Sequence, residues 1–167
     1  MLTVLIETHN DEEALARTLS SLVSAAVEGI VREVLVCDRA SSDQTAVVAD
    51  HAGCTVFSDG DMAAALRRAK GEWLLLVEPG ARLAEGWTEA AMAHMAQLTG
   101  PARFTRSRIG QPPLFTRLFS RARPLAEGLL LTRRQAVALL KGTDLSALKR
   151  LSARRLPAEI IPSPRRR

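Results

Sequence analysis

The sequence predicts an α/β domain in three layers, a mostly parallel sheet with helices on both faces, and three observations predict it. Short apolar runs rich in branched residues recur at 2–6, 31–37, 54–57 and 73–77. Segments with apolar residues at helical spacing separate them. The runs are apolar throughout instead of alternating, as strands covered on both faces must be.

The elements follow in order. Residues 2–6 form the first strand; after a polar loop, Glu13, Leu15, Leu19, Leu22 and Val23 recur at helical spacing. Residues 31–37 form the second strand, 38–42 a polar loop, and 43–52 a helix with Asp43 placed as its N-cap. A third strand, 54–57, precedes an alanine-rich helix over 62–70. The fourth, 73–77, ends in the turn sequence Glu78-Pro79-Gly80, and 86–98 read as an amphipathic helix.

After Gly100 the regularity falls away. Pro101, Pro112, Pro113 and Pro124 interrupt a basic stretch that carries Phe104, Phe115 and Phe119, which predicts an irregular lobe. Structure resumes with a strand at 128–131, helices over 133–140 and 144–153, and an extended segment at 158–161. No repeat or linker divides the chain, so one domain over 1–163 with a mobile basic tail at 164–167 is expected.

A chain of 167 residues, 47% hydrophobic and 25% charged, suits one domain with a real core. No run approaches the roughly 18 apolar residues of a membrane span, and Glu7 and Asp11 fall too early for a secretory signal. A soluble, cytoplasmic protein is expected. Cys37 and Cys54 lie in apolar runs without a CxxC or Cys/His cluster; this favours buried free thiols over zinc, and a disulfide would need an oxidising compartment.

The net charge of +5 hides an asymmetry. Residues 1–100 carry 7 Lys/Arg against 15 Asp/Glu, and residues 101–167 carry 16 against 3. A basic half attracts nucleotide phosphates, an anionic membrane surface or nucleic acid alike. Arg103, Arg106, Arg108, Arg117, Arg121 and Arg123 interleave with prolines and phenylalanines, a mixture suited to peripheral contact with an anionic membrane. No recognised nucleic-acid motif accompanies them, so nucleic acid is not the expected partner.

Ligands on open sheets of this kind bind beyond the carboxyl ends of the strands. The loops there are 7–10, 38–42, 58–61 and 78–82. Asp38, supported by Ser41 and Ser42, could accept hydrogen bonds from a base imide or a ribose hydroxyl; the competing reading is that 38–43 only caps the next helix. His9 reads as a polar loop residue, and His51 and His94 as surface residues on helices. Trp73 and Trp87 read as packing around the fourth strand, with sugar stacking an alternative for Trp87.

Three blocks carry a resemblance: TVLIETHNDEEAL at 3–15, VLVCDRASSDQT at 34–45 and GEWLLLVEPGARL at 71–83. In order and spacing they resemble family 2 glycosyltransferases of the Rossmann-like GT-A fold. Those proteins show a strand ending near Thr-x-Asn-Glu, a Val-Asp-Asp-Gly-Ser-x-Asp-Gly-Thr loop, and a strand ending in Asp-x-Asp. The resemblance implies a nucleotide-binding half over 1–100 and a shortened basic acceptor half over 101–163. It places Glu7 and Thr8 beside the base of a nucleotide-diphosphate sugar, Asp38 on the base or ribose with Ser41 behind it, and Glu78 at the start of the motif that holds Mn2+ or Mg2+.

The departures are specific. Glu78-Pro79-Gly80 keeps one carboxylate of the metal motif, and reads either as a weakened metal site or as a tight turn. Ser58, Ala63 and Ala65 stand where the family has diphosphate-binding Arg, Asn and Gly, so that segment reads as a packed helix. Residues 124–140 and 143–154 resemble the family's later blocks. The second implies Asp144 as the general base, with Thr143 in place of a Glu; an N-cap is its competing role, and Glu127 is the only nearby acidic alternative.

The implied function is transfer of a sugar from its nucleotide-diphosphate donor to an unidentified acceptor. The absence of a Gln-x-x-Arg-Trp motif argues against a polysaccharide synthase. Two other readings stand beside it: a non-catalytic nucleotide-sugar-binding or regulatory protein on the same fold, and a basic membrane-surface or nucleic-acid module. A second copy, as a homodimer, is one way to complete the short acceptor half.

Overall fold

The structure, a computed structural model, describes residues 1–97, 100–107, 125–139, 147 and 150–164. One eight-stranded sheet runs through it in the order β3-β2-β1-β4-β7-β6-β8-β5. The strands are β1 (Leu2–Thr8), β2 (Val31–Asp38), β3 (Thr55–Phe57), β4 (Trp73–Val77), β5 (Arg82–Leu83), β6 (Ala102–Arg106), β7 (Leu129–Thr132) and β8 (Arg154–Ile161). β3, β2, β1 and β4 are mutually parallel, and only β7 and β5 run against the rest.

The described helices are α1 (Glu12–Ser20), α2 (Val23–Val27), α3 (Thr45–His51), α4 (Met62–Arg68), α5 (Trp87–Ala96) and α6 (Arg133–Leu139). They divide between the two faces as strand pleating demands, since successive side chains point to opposite sides. Leu2, Val4 and Ile6 of β1 and Trp73, Leu75 and Val77 of β4 pack with Leu15, Ala25, Ala49 and Trp87 from α1, α2, α3 and α5. Leu5, Leu74 and Leu76 point the other way, into a core with Met62, Leu66 and Ala136 from α4 and α6. This is the expected three-layer arrangement.

Several expectations need correction. The helix expected to reach Val23 stops at Ser20, because the Ser21 and Leu22 N–H groups turn back to Thr18 and Leu19 carbonyls three residues away, and α2 starts afresh. The chain just after Gly100 is not irregular: β6 lies inside the sheet, with Ala102 and Phe104 fully buried. The prolines concealed that alternation. The last strand begins at Arg154, four residues before the extended segment expected at 158–161.

His94 is buried, not on the surface; its Nε2 lies 2.8 Å from the Gly100 carbonyl and its ring meets Trp73 edge-on. Trp73 and Trp87 are core residues as expected, Trp87 edge-on to Phe104. Cys37 and Cys54 are free thiols, Cys37 buried as expected and Cys54 only partly buried, just before the edge strand β3. Asp144 and half of the helix expected over 144–153 lie outside the described residues, as do Arg108, Arg117, Arg121, Arg123 and residues 165–167; the described residues 151–153 are not helical and lead directly into β8. Among the described residues no helix is long and apolar enough to cross a membrane.

Candidate functional site

The carboxyl ends of β1 and β2 lie side by side, with Thr8 paired to Asp38 at the last step of the register. Asp38 is 4% exposed. Its Oδ1 accepts from the Thr8 hydroxyl at 2.8 Å and the Ser41 hydroxyl at 2.5 Å, and its Oδ2 from the Ser41 N–H at 2.9 Å. Burial pushes the carboxyl up, but the Ser41 hydroxyl, the Ser41 N–H and the Thr8 hydroxyl outweigh it and hold Asp38 below the ordinary carboxylate value. Three of the expected nucleotide-side residues, Thr8, Asp38 and Ser41, thus form one hydrogen-bonded unit.

The loops after β1 and β2 are stitched together further out. The Asn10 N–H donates to Ser41 Oγ at 2.8 Å, the Ser42 N–H to Asn10 Oδ1 at 2.8 Å, and the Asp11 N–H to Thr45 Oγ1 at 2.8 Å. Asp43 is not the N-cap expected of a helix over 43–52: α3 begins at Thr45 with Gln44 at the cap position, because 43–44 still belong to the loop, and the Asp43 carboxylate accepts from the Thr45 N–H at 3.0 Å and the Glu12 N–H at 3.3 Å. Its carboxyl is also held low, chiefly by the Thr45 hydroxyl. Asn10 and Ala40 both adopt left-handed backbone, with φ of 53° and 52°. Asn tolerates that conformation; Ala40 occupies it where the resembling motif has glycine.

Glu7, the fourth nucleotide-side candidate, pairs with Arg39, Oε1 to Nη1 at 3.4 Å. Sequence reasoning missed Arg39, although it replaces the second Asp of the Val-Asp-Asp-Gly motif. The Arg39 N–H extends the sheet ladder to the Thr8 carbonyl, its backbone bridges to Asp59, and its Cγ lies where a Cβ on Gly60 would fall. Beneath it, burial first and then the charges of Glu7, Asp61 and Asp59 push the Cys37 thiol up to about 12. Cys37 is therefore no nucleophile.

The segment 58–65 has become structural, as the sequence suggested. Asp61 caps α4 by accepting from the Ala64 N–H at 2.9 Å, and Ala63 and Ala65 are buried.

Glu78 follows the last residue of β4, at the same sheet edge. The expected tight turn forms, closed by the Ala81 N–H to the Glu78 carbonyl at 3.1 Å. Gly80 docks it on α1, its N–H donating to Thr18 Oγ1 at 2.8 Å and the Ala14 carbonyl at 2.9 Å. At φ 89°, and with Ser163 where a Cβ would fall, only glycine fits. Among the described residues no three His, Cys, Asp or Glu side chains form a metal-holding group. Glu78 alone suits an ion that arrives with substrate phosphates and keeps its waters, and does not suit a preformed all-protein cage.

β7 brings a second carboxylate to this edge. Leu76 pairs with Leu129 in antiparallel register, so Glu127 lies just beyond the paired residues on the side where β4 ends. Arg155 holds it at 3.3 Å. Two of the basic residues are not a free solvated face: Arg103 donates to the Gly128 carbonyl at 3.2 Å, and Arg106 has a buried Nε with no partner among the described residues.

Among the described residues, clefts open near both ends of the strands. One of about 370 Å³ lies beside the start of α1, lined by Asn10, Glu13, Asp43 and Ser163. The other, about 870 Å³, lies at the amino ends of the strands against Lys70, Glu72 and Arg133, away from the converging loops.

Comparison with known proteins agrees with this geometry. Glucosyl-3-phosphoglycerate synthase from Mycobacterium tuberculosis, solved in complex with Mn2+, uridine diphosphate and glucosyl-3-phosphoglycerate, is 16% identical; the match covers 100% of this chain and 72% of that one, with a TM-score of 0.66. Mannosyl-3-phosphoglycerate synthase from Rubrobacter xylanophilus is also 16% identical, over 99% of this chain and 68% of that one, with a TM-score of 0.64. At such identities the likeness is one of fold. No curated protein matches the chain in sequence. The family model for glycosyl transferase family 2, however, matches residues 3–136, most of the length. The chain belongs to glycosyl transferase family 2, on the GT-A fold.

Proposed function

We propose that this protein binds a nucleotide-diphosphate sugar at the carboxyl edge of its sheet and transfers the sugar to an acceptor hydroxyl. The observation that carries the reading is the buried Thr8–Asp38–Ser41 unit, which fixes the loops after β1 and β2 at the edge where α/β sheets take nucleotides. Oδ2 of Asp38 accepts one bond and has capacity for another, from a ribose hydroxyl. Glu7, paired with Cys37 one residue before Asp38, is the proposed base-side residue. The solved relatives that hold Mn2+ with uridine diphosphate support a donor of this class.

Glu78 is the proposed ligand for Mn2+ or Mg2+, with diphosphate oxygens and water completing the shell. Such an ion offsets charge on the departing diphosphate. The general base is assigned to Asp144 from the resemblance of its segment, and Glu127, at the described edge, is the alternative. Domain-wise, 1–100 serve the donor and 101–163 the acceptor; β4 and β7 join these halves in one sheet, which argues against two separable domains. The Mycobacterium tuberculosis synthase is also solved in complex with Mn2+, uridine diphosphate and phosphoglyceric acid, which makes a small hydroxy acid the first acceptor class to screen.

A second reading, donor binding without transfer, draws on Gly80, which occupies the second carboxylate position of the metal motif and cannot be exchanged without strain. Titration of the protein with nucleotide sugars, with and without Mn2+, followed by a test for sugar release or transfer, separates the two. Binding with turnover supports the transferase, and binding without turnover across an acceptor screen supports the second reading.

A further inference from the structure

We infer that Arg106 anchors the acceptor by an oxyanion, a phosphate or a carboxylate, so that the acceptor is an anionic alcohol. The inference rests on the donor-site reading above and adds the chemistry of the second substrate. The order of the strands along the carboxyl edge is its starting point: β2 and β1 carry Asp38 and Thr8, β4 leads into Glu78, and β7 and β6 follow. A donor laid from β2 across β1 to a metal at Glu78 puts its sugar on the β7–β6 side, and the attacking hydroxyl has to come to it there.

β6 runs against β7, which runs against β4, so β6 ends on that same edge, and its last residue is Arg106. Two strand spacings, about 10 Å, separate the ends of β4 and β6. The connection from Glu78 to β5 has to pass the ends of β7, β6 and β8, which brings the Glu78 turn and Arg106 to one stretch of the edge.

Arg106 is half-buried, and its Nε is covered without a partner among the described residues. Its neighbours are differently placed: Arg103 bonds the Gly128 carbonyl, and Arg155 holds Glu127. Arg106 pairs with Ile160 and follows Phe104 by two, so it shares their apolar face, whereas Glu159 pairs with Thr105 and faces the other way. A buried donor with no acceptor costs stability and calls for a group that completes it. Turning about its terminal torsions, the guanidinium offers Nε–H and an Nη–H side by side, the fork that takes two oxygens of a phosphate or carboxylate. An uncharged alcohol would leave that fork unmatched.

The test is NMR of the intact chain, following the Arg106 Nε–H signal, assigned by its loss in Arg106→Met, and the Thr105 and Ser107 amides during titration with inorganic phosphate and with phosphoglyceric acid at constant ionic strength. Saturable shifts in the millimolar range or tighter are expected, and they persist with GDP or UDP bound in Mn2+. Arg106→Met should weaken phosphate binding by at least about tenfold and leave nucleotide affinity within about twofold. Its urea midpoint should be unchanged or higher, because it removes an unsatisfied donor and keeps the stem. Arg106→Lys, with the charge but no fork, should bind phosphate with intermediate affinity. A lower urea midpoint in both variants with phosphate affinity unchanged is the mark of a structural role and would overturn the inference. So would shifts that grow linearly with concentration, or shifts abolished by bound GDP or UDP, which would give the oxyanion site to the donor diphosphate. Those outcomes leave the donor site standing; failure of both nucleotides to bind the parent chain would overturn the donor site and the acceptor assignment with it.

Discussion

Thr8 and Asp38 stand opposite each other at the last paired step of β1 and β2, and the Thr8 hydroxyl donates to the buried Asp38 carboxylate at 2.8 Å. The bond joins two loops whose residues are 30 apart in sequence. Removing the hydroxyl while keeping the shape, in Thr8→Val, should cost about 1–3 kcal/mol, the range for depriving a buried charged group of a partner. Urea unfolding measures it, and a cost near zero would mean that the unit does not tie the loops together.

The same carboxylate makes a pH prediction. Its hydrogen bonds place the folded pKa below the unfolded one, so its contribution to stability is present above the unfolded value and is lost as pH falls through the folded value. Stability of the parent protein relative to Asp38→Asn should therefore be greatest near neutrality and shrink below about pH 4. A difference that stays constant from pH 7 to pH 3 would contradict the assignment.

Ala40 is the clearest strained position in the site loops, at φ 52° without the local hydrogen-bonding side chain that eases Asn10. Ala40→Gly should stabilise the fold by about 1 kcal/mol, against the usual direction for a glycine substitution. Thermal unfolding checks the sign.

Restoring the second carboxylate of the metal motif should fail. Gly80→Asp forces a side chain onto a residue at φ 89° and into Ser163, so a loss of more than about 1 kcal/mol is expected, with no gain in Mn2+ affinity. By contrast Glu78→Gln should leave stability little changed and remove the Mn2+ dependence of nucleotide-sugar binding. Tighter Mn2+ binding in Gly80→Asp would show that the turn tolerates what the geometry denies.

The two candidate bases separate by substitution. Asp144→Asn should lower turnover by about two to four orders of magnitude while leaving donor affinity within twofold, the signature of a lost base. Glu127→Gln should do this instead if Asp144 is only a helix cap, and its pair with Arg155 would then be positioning a reactive group.

The parallel half of the fold was legible because strands buried on both faces write themselves as continuous apolar runs, as at Val4, Leu5 and Ile6. The later strands were less so. In β6 and β8 the buried Phe104, Leu156, Ala158 and Ile160 alternate with arginines, a proline and a glutamate, and the charged partners drew attention from the period-2 pattern. Two-residue β5 has no periodicity to detect. At the site, motif spacing located Glu7, Thr8, Asp38, Ser41 and Glu78, yet it could not tell that Asp38 faces inward or that Arg39 sits against Gly60. Those facts depend on which strands become neighbours, which no local pattern records. The glycine at position 80 read as a lost ligand, and only the approach of Ser163 reveals its steric necessity.

The most direct test of the central claim is calorimetric titration of the intact chain with GDP- and UDP-sugars, in Mn2+ and in chelator, alongside Glu78→Gln. The account predicts that at least one sugar nucleotide binds, that chelation weakens it by at least about tenfold, and that Glu78→Gln binds weakly under both conditions. Absence of binding by every conjugate with metal present would contradict a donor site at this sheet edge.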